Sequence, residues 1–277
     1  MIERENSMCD IINTTQNAQI GSHDNSFVAQ QINNYGVPVE QMPGMIIEAT
    51  FKLFHQYFPQ LQKEALEEVH QMLEEKIRAI PPENIVPPAA RIAIPALQNA
   101  SITEEHDIRE LYANLLASSM NKVVKDGVHP AYVEIIKQLS PDEAKILYYL
   151  KNNPIVPIIN LRAENKEHGG VTVVSNFTNI GSRIGCENPN RMDEYLDNIE
   201  RLGLVKNMGE LASLTDKTLY KPLEEDPYIL WQMNEIKENT ELCVPKIKQG
   251  YVELTNFGKA FCQLCCVIDD AITVVIK

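Results

Sequence analysis

The sequence predicts a mainly α protein with a small β component, in which a helical module precedes a smaller α+β module. Before residue 153, apolar residues recur at three- and four-residue spacing, which is typical of amphipathic helices. After Asn153 and Pro154, short Val- and Ile-rich runs alternate with turn residues, which is typical of strands. The 277 residues are 44% apolar and 23% charged, a balance typical of folded globular proteins.

The same patterns divide the chain into three segments. Residues 1–44 alternate short apolar runs with Gly and Asn clusters, so this segment is interpreted either as a flexible tail or as a strand-forming assembly segment. Residues 45–139 form the predicted helical module, and residues 140–277 form the α+β module. The candidate assembly residues lie in the first segment and are Ile20, Phe27, Ile32, Asn33, Asn34 and Tyr35.

Capping residues mark several helix ends. A helix is predicted to start at Thr103, and another at Ser140, which Pro141 and two acidic residues follow. Gly203 is predicted to end the helix over 190–202, and Thr255 to cap the last helix. Residues 207–248 carry mixed signals, and no single element is predicted there.

The order of elements after residue 140 resembles a winged-helix domain, in which one helix of DNA-binding members enters the major groove. The corresponding helix, 190–202, carries Arg191 and Arg201 among four acidic residues: Asp193, Glu194, Asp197 and Glu200. This charge favours a protein-contact module. The alternative is a nucleic-acid-binding regulator that uses Arg183 and Arg191.

The net charge of −13 also disfavours phosphate binding, unless basic residues gather on one face. The N-terminus has no signal-peptide pattern, and no run of about 20 apolar residues predicts a membrane span. Three of the six cysteines crowd at Cys262, Cys265 and Cys266, unlike a secreted disulfide framework. We therefore expect a cytoplasmic protein.

The motifs that could form a metal site or a catalytic site are incomplete. Glu67 and His70 have the spacing of half a di-iron site, and Cys262 and Cys265 that of half a zinc site, but neither has a second half. A second alternative function is a cryptic nuclease or hydrolase toxin, which would use Glu105, His106 and Glu110. The sequence contains no nucleophile elbow or phosphate-binding loop, so we predict no catalytic residue, no metal and no cofactor.

Three stretches resemble the abortive-infection-alpha family of bacterial proteins over about residues 88–265. They are RELYANLLASSM from Arg109, VHPAYVEIIKQLSPDEAKIL from Val128, and LTNFGKAFC from Leu254. The signature residues are Arg109, Tyr112, Asn114, His129 and Pro130. The resemblance implies a bacterial antiphage-defence protein, either sensor or effector, and brings no catalytic motif. With the acidic helix, it predicts action through contacts with a phage or host protein, and we expect a homo-oligomer.

Overall fold

Eleven helices and a four-stranded antiparallel sheet lie in the parts of the chain that the computed structural model describes, which are residues 42–57, 63–165, 169–239 and 243–267. They confirm the mainly α class with a small β component. The chain divides into two compact units. The first contains the described residues up to Ile102 together with Leu115–Val133, and the second contains Thr103–Asn114 with the described residues from Glu134 onward. The candidate assembly residues, Ile20 to Tyr35, lie outside the described residues.

The first unit is helical. Its helices are α1 (Met42–Tyr57), α2 (Lys63–Arg78) and α3 (Ala90–Ile102), while α4 (His106–Met120) and α5 (Ala131–Ile136) contribute residues to both units. The helical spacing of the apolar residues of α2 predicts a stripe on one face, and its members Leu66, Val69, Leu73 and Ile77 are all buried. His70 lies on that stripe, and its ring packs edge-on against Phe51 with the ring centroids 4.8 Å apart.

Helix α4 begins three residues after the predicted start at Thr103. The first helical residue is His106, and the amide of Arg109 donates to the Glu105 carbonyl. Residues 103–105 lie outside both helices and connect Ile102, the last residue of α3, to His106, and the Thr103 carbonyl accepts from the Arg109 guanidinium at 2.6 Å. The prediction was therefore wrong at this boundary.

A four-stranded sheet lies in the second unit, in the order β2-β1-β4-β3. The strands are β1 (Ile155–Asn165), β2 (Gly170–Phe177), β3 (Val205–Asn207) and β4 (Cys243–Leu254). β1 pairs with β4 from Ile155 opposite Glu253 to Asn165 opposite Cys243. Ile158 and Ile159 are both fully buried, so β1 is covered on both faces.

The helices of the second unit lie on both sides of this sheet. They are α6 (Pro141–Asn152), α7 (Ile180–Arg183), α8 (Met192–Arg201), α9 (Lys221–Glu224), α10 (Pro227–Asn239) and α11 (Asn256–Cys265). α10 supplies Ile229 and Ile236 to a buried cluster with Ile159 and Leu161 of β1. α8 contacts β2 and β3, and α11 contacts α6 and β4.

Three predicted caps are confirmed. The Ser140 hydroxyl accepts from the Glu143 amide, and the Glu143 carboxylate accepts from the Ser140 amide at 2.7 Å, which forms a capping box. Gly203 follows α8 with φ +75°. The Thr255 hydroxyl accepts from the Gly258 amide at 2.8 Å at the start of α11. In contrast, α10 occupies a region for which the sequence predicted no element.

Candidate functional site

A polar cleft of about 550 Å³ lies in the second unit, between the start of α6 and the start of α8. Its floor is formed by Asp142 and Glu143, two carboxylates that are almost fully buried in the first turn of α6. The positive end of a helix dipole favours negative charge at these positions. The walls include Glu187 and Asn188 before α8, and Tyr195 and Asn198 on α8.

The Asp142 carboxylate holds the segment that leads into α8. It accepts from the backbone amides of Glu187 at 2.9 Å and Asn188 at 3.0 Å, and from the Tyr195 hydroxyl at 3.0 Å. The Lys145 ammonium lies 3.4 Å from Oδ1. Four donors therefore converge on one carboxylate, which fixes the cleft wall to its floor.

These contacts set the protonation states of Asp142, Tyr195 and Cys186. Burial raises the pKa of Asp142, but the hydrogen bonds from the two amides, Tyr195 and Lys145 together lower it below its ordinary value. Burial and the Asp142 carboxylate raise the pKa of Tyr195 to about 12. Burial and the same charge raise the pKa of the Cys186 thiol to about 11. At neutral pH, Asp142 is thus ionised while Tyr195 and Cys186 are protonated.

Glu143 joins α6 to α8 in the same way. One carboxylate oxygen accepts from the Ser140 amide, and the other accepts from the Asn198 side chain at 2.8 Å. Asn198 also donates to the Gln138 carbonyl at 3.1 Å. Both carboxylates thus act as hydrogen-bond acceptors in one network that joins α6 to α8.

The outer face of α8 is acidic, as its sequence predicts. Arg191 donates to Glu194 through Nε at 3.1 Å, so this base is paired with an acid of its own helix. Burial and the charges of Asp193 and Glu200 raise the pKa of Asp197. Like charges that disfavour the ionised form of Asp197 indicate a surplus of negative charge along this face.

The two bases of the nucleic-acid alternative, Arg183 and Arg191, each contact an aromatic ring. The Arg183 guanidinium lies 5.9 Å from the ring centroid of Tyr149, and that of Arg191 lies 5.8 Å from the ring centroid of Tyr195. The residues of the nuclease alternative lie at the start of α4, where Glu105 and His106 are exposed. Burial and the Glu110 carboxylate raise the pKa of Tyr148.

Comparison with known proteins assigns the family. The family model described as abortive infection alpha matches residues 61–265. The chain belongs to the abortive infection alpha family. This membership links it to abortive infection, a phage-defence response.

The abortive infection alpha chain was also compared with curated proteins and with solved structures. No curated protein matches it. A solved structure of an uncharacterized protein from the marine bacterium Alcanivorax borkumensis SK2 is similar over 49% of this chain and 92% of its own, with 18% identity and a TM-score of 0.35. Among the described helices, none has both the length and the apolar composition of a membrane span.

Part of the abortive infection alpha signature lies where α4 meets the end of α11. The Asn114 side chain is buried and donates to the Cys265 carbonyl at 2.9 Å and to the Tyr148 hydroxyl at 3.2 Å. The Lys151 ammonium donates to the neighbouring Cys266 carbonyl at 2.9 Å. The last carbonyls of a helix have no partner within the helix, so these two side chains cap α11.

The other signature residues do not line the cleft. Tyr112 is fully buried, and burial and the Glu134 charge raise its pKa. His129 Nδ1 accepts from the Ala131 amide at 3.1 Å, so His129 and Pro130 shape the start of α5. The cysteines at the end of α11 are buried, and the Cys262 thiol donates to the Leu147 carbonyl at 3.7 Å. Burial raises the pKa of Cys265 and Cys266, so their thiols stay protonated.

We expect Asn114→Ala to lower the free energy of unfolding by about 2 kcal/mol, because it leaves a buried carbonyl without a donor. A matched control is Asn153→Ala, whose exposed side chain donates to the Tyr149 carbonyl at 3.1 Å at the end of α6. The control should lose no more than about 0.5 kcal/mol. Urea unfolding measures the loss of unfolding free energy in both variants. It is followed by the fluorescence of Trp231, which lies in the same unit. Equal losses would contradict a specific role for Asn114.

Proposed function

We propose that this chain acts in abortive infection through protein–protein contacts, as a sensor or effector of the response, and not through catalysis. Family membership supports the setting. The observation that carries the mode of action is the acidic outer face of α8, which borders a polar cleft with a rigid floor. The binding partner is a phage or host protein with a basic surface.

The order of elements in the second unit supports this interpretation. In chain order the unit has α6, β1, β2, α7, α8, β3, α9, α10, β4 and α11, and β4 pairs antiparallel with both β1 and β3. We interpret this order as winged-helix-like, with α8 in the place of the groove-reading helix. A negative face at that place repels nucleic-acid phosphates and attracts basic protein surfaces.

We expect charge reversal on this face to abolish phage protection without unfolding the protein. The variant is Glu194→Lys with Asp197→Lys, since both side chains are exposed and neither belongs to the Asp142 network. A matched control is Glu225→Lys with Glu238→Lys, which changes the net charge equally at exposed positions of the same unit. The efficiency of plating of a restricted phage on cells that express each variant measures protection. Loss of protection in neither variant, or in both, would contradict the proposal.

Binding of labelled DNA or RNA distinguishes the nucleic-acid hypothesis from the protein-contact hypothesis. If the wild-type chain shifts labelled DNA or RNA at low salt, and Arg183→Glu with Arg191→Glu abolishes the shift, the regulator hypothesis replaces the protein-contact hypothesis. The contacts of Arg191 with Glu194 and of Arg183 with Tyr149 favour the protein-contact hypothesis. No contact among the described residues favours the nuclease hypothesis.

Self-assembly through residues 1–44 is a further part of the proposal. Its support is the alternation of apolar runs with Asn- and Gly-rich turns in that segment. Sedimentation equilibrium of the full chain and of Δ1–40 tests this part. Equal masses for the two chains, after allowance for the deleted residues, would contradict assembly through this segment.

A further inference from the structure

A basic surface lies on one face of the ladder between β1 and β4. Arg162 pairs with Lys246, and Lys248 follows two residues later on β4, so the three side chains lie on the same face. The opposite face carries Leu161 and Ala163, which are buried together with residues of α10. The side chains of Arg162, Lys246 and Lys248 are 28%, 56% and 31% exposed. We define the basic face as these three residues.

Two acidic residues on this surface leave it with a positive charge. The Glu164 carboxylate lies 3.1 Å from the Lys246 ammonium, 3.5 Å from that of Lys248 and 3.6 Å from Arg162 Nε. The Glu210 carboxylate lies 3.8 Å from Arg162 Nη1. A hydrogen bond from Lys246 and the charges of both lysines lower the pKa of Glu164. Three bases and two acids give one net positive charge, in a chain whose net charge is −13.

The outer face of α8 has the opposite charge. Asp193, Asp197 and Glu200 follow one another at intervals of four and three residues, so they form one stripe along the helix. The Arg201 guanidinium donates to the Gln138 side-chain oxygen at 3.1 Å, so this base is engaged outside the stripe. A cation that binds beside the three carboxylates relieves the repulsion among them.

The spacing of the charges on the two surfaces matches. Asp193 and Asp197 are four residues apart on a helix, which is a rise of about 6 Å. Lys246 and Lys248 are two residues apart on an antiparallel strand, which is a distance of about 7 Å. Two lysines of one copy can therefore meet two aspartates of another copy at the same time. Charge and spacing together favour a second copy of this chain as the occupant of the basic face.

A series of hydrogen bonds joins the ladder to α8 within each copy. Asn160, which lies opposite Lys248 in the ladder, accepts from the Asn176 amide at 2.7 Å through its side chain. The Asn176 side-chain oxygen accepts from Asn207 Nδ2 at 2.9 Å, and the Asn207 amide donates to the Glu200 carboxylate at 2.8 Å. Both surfaces are therefore fixed in place before contact, which lowers the entropy that association costs.

We propose that the basic face of one copy binds the outer face of α8 in a second copy, with Lys246 and Lys248 against Asp193 and Asp197. The proposal rests on the proposed function, because it takes the outer face of α8 as a contact surface and names a second copy as one of its partners. Self-association covers this face, so a phage or host protein with a basic surface competes with the second copy for α8.

Sedimentation equilibrium of the full chain over a concentration series tests the proposal on two reversed variants. They are Lys246→Glu with Lys248→Glu, and separately Asp193→Lys with Asp197→Lys. We expect each to raise the dissociation constant of self-association by about tenfold or more, because like charges then meet. The aspartate variant also makes the chain less acidic, which by itself would strengthen association, so weaker association there must come from the contact.

The control for the lysine variant is Lys237→Glu with Lys259→Glu. It makes the same change of net charge at exposed lysines of α10 and α11, away from the basic face. The control should leave the dissociation constant within about twofold. Equal weakening in the control would assign the effect to net charge and overturn the proposal.

A mixture of the two reversed variants separates loss of charge pairing from loss of folding. In an equimolar mixture, the unchanged basic face of the aspartate variant meets the unchanged α8 of the lysine variant, and the two reversed surfaces also attract each other. We expect the mixture to associate at least about tenfold more tightly than either variant alone. A variant that had unfolded would not regain this association.

Three further results would overturn the proposal: a full chain that stays monomeric, a self-association that both reversed variants retain, or a mixture that associates no more tightly than either variant alone. The second result would assign assembly to another surface. Phage plating on Glu194→Lys with Asp197→Lys tests the proposed function separately. Protection that survives that charge reversal contradicts the proposed function, whereas a monomeric full chain contradicts only the self-association.

Discussion

Replacing Gly258 with Ala is expected to lower the free energy of unfolding by about 3 kcal/mol or more. A Cβ atom at this position would lie 1.8 Å from the carbonyl oxygen of Leu204, far inside van der Waals contact. The same carbonyl accepts from the Thr255 amide at 3.0 Å and from the Thr255 hydroxyl at 3.2 Å. Relief of the clash would therefore break the junction that starts α11.

The control for Gly258 is Gly203→Ala, in the turn that contacts the same junction. Gly203 has φ +75°, and an added Cβ would meet no atom within 4 Å. The substitution costs only the strain of a left-handed backbone, about 1 kcal/mol. Urea unfolding followed by Trp231 fluorescence measures both losses. A loss at Gly258 no larger than that at Gly203 would contradict the close approach.

Replacing Asp142 with Ala is expected to cost about 3 kcal/mol, because it leaves the amides of Glu187 and Asn188 and the hydroxyl of Tyr195 without their acceptor. Asp142→Asn keeps the shape but places an amide group among donors, so it should also destabilise the second unit. The control is Asp216→Asn, whose exposed side chain accepts from Thr218. The control should lose clearly less unfolding free energy. Equal losses would contradict the role of Asp142 in holding the cleft wall through its hydrogen bonds.

The Asp142 contribution should depend on pH. Its pKa is lower in the folded protein, so folding favours the ionised carboxylate. The stabilisation is therefore fully present above the ordinary Asp pKa of about 4, and it is lost as the pH falls through the lower folded value. The difference in unfolding free energy between wild type and Asp142→Asn should narrow as the pH falls below about 4. A difference that stays constant at acidic pH would contradict this linkage.

Local signals explain what the sequence predicted correctly. The stripe on α2, the capping box at Ser140 and the cap at Thr255 each depend on residues within one or two helical turns. The acidic face of α8 is equally local, because a regular helix repeat separates its buried from its exposed positions. Such features can be predicted before any tertiary contact is known.

The sequence predicted no helix at α10 because the apolar residues of this segment lie on both sides of the helix. Ile229 and Ile236 are buried, but Leu230 and Trp231 are exposed, so no clear amphipathic stripe appears. A usable signal was present at its start, where Asp226 precedes Pro227 and accepts from the Tyr228 amide at 2.9 Å.

The cleft could not be predicted, because its contacts join distant parts of the chain. The sequence marks Asp142 as an acidic residue in the first turn of a helix, which the helix dipole alone explains. Its backbone donors, Glu187 and Asn188, lie more than forty residues later. Asn114 and the Cys265 carbonyl are separated by 151 residues. Periodicity contains no information about pairings at that range.

The position of β4 in the sheet has a consequence for synthesis. β1 and β3 both pair with β4, which is the last strand among the described residues. The ribosome adds about 5–20 residues per second, so β1 emerges several seconds before its partner β4 exists. During that interval Ile159 and Leu161 lack the neighbours that bury them in the finished sheet.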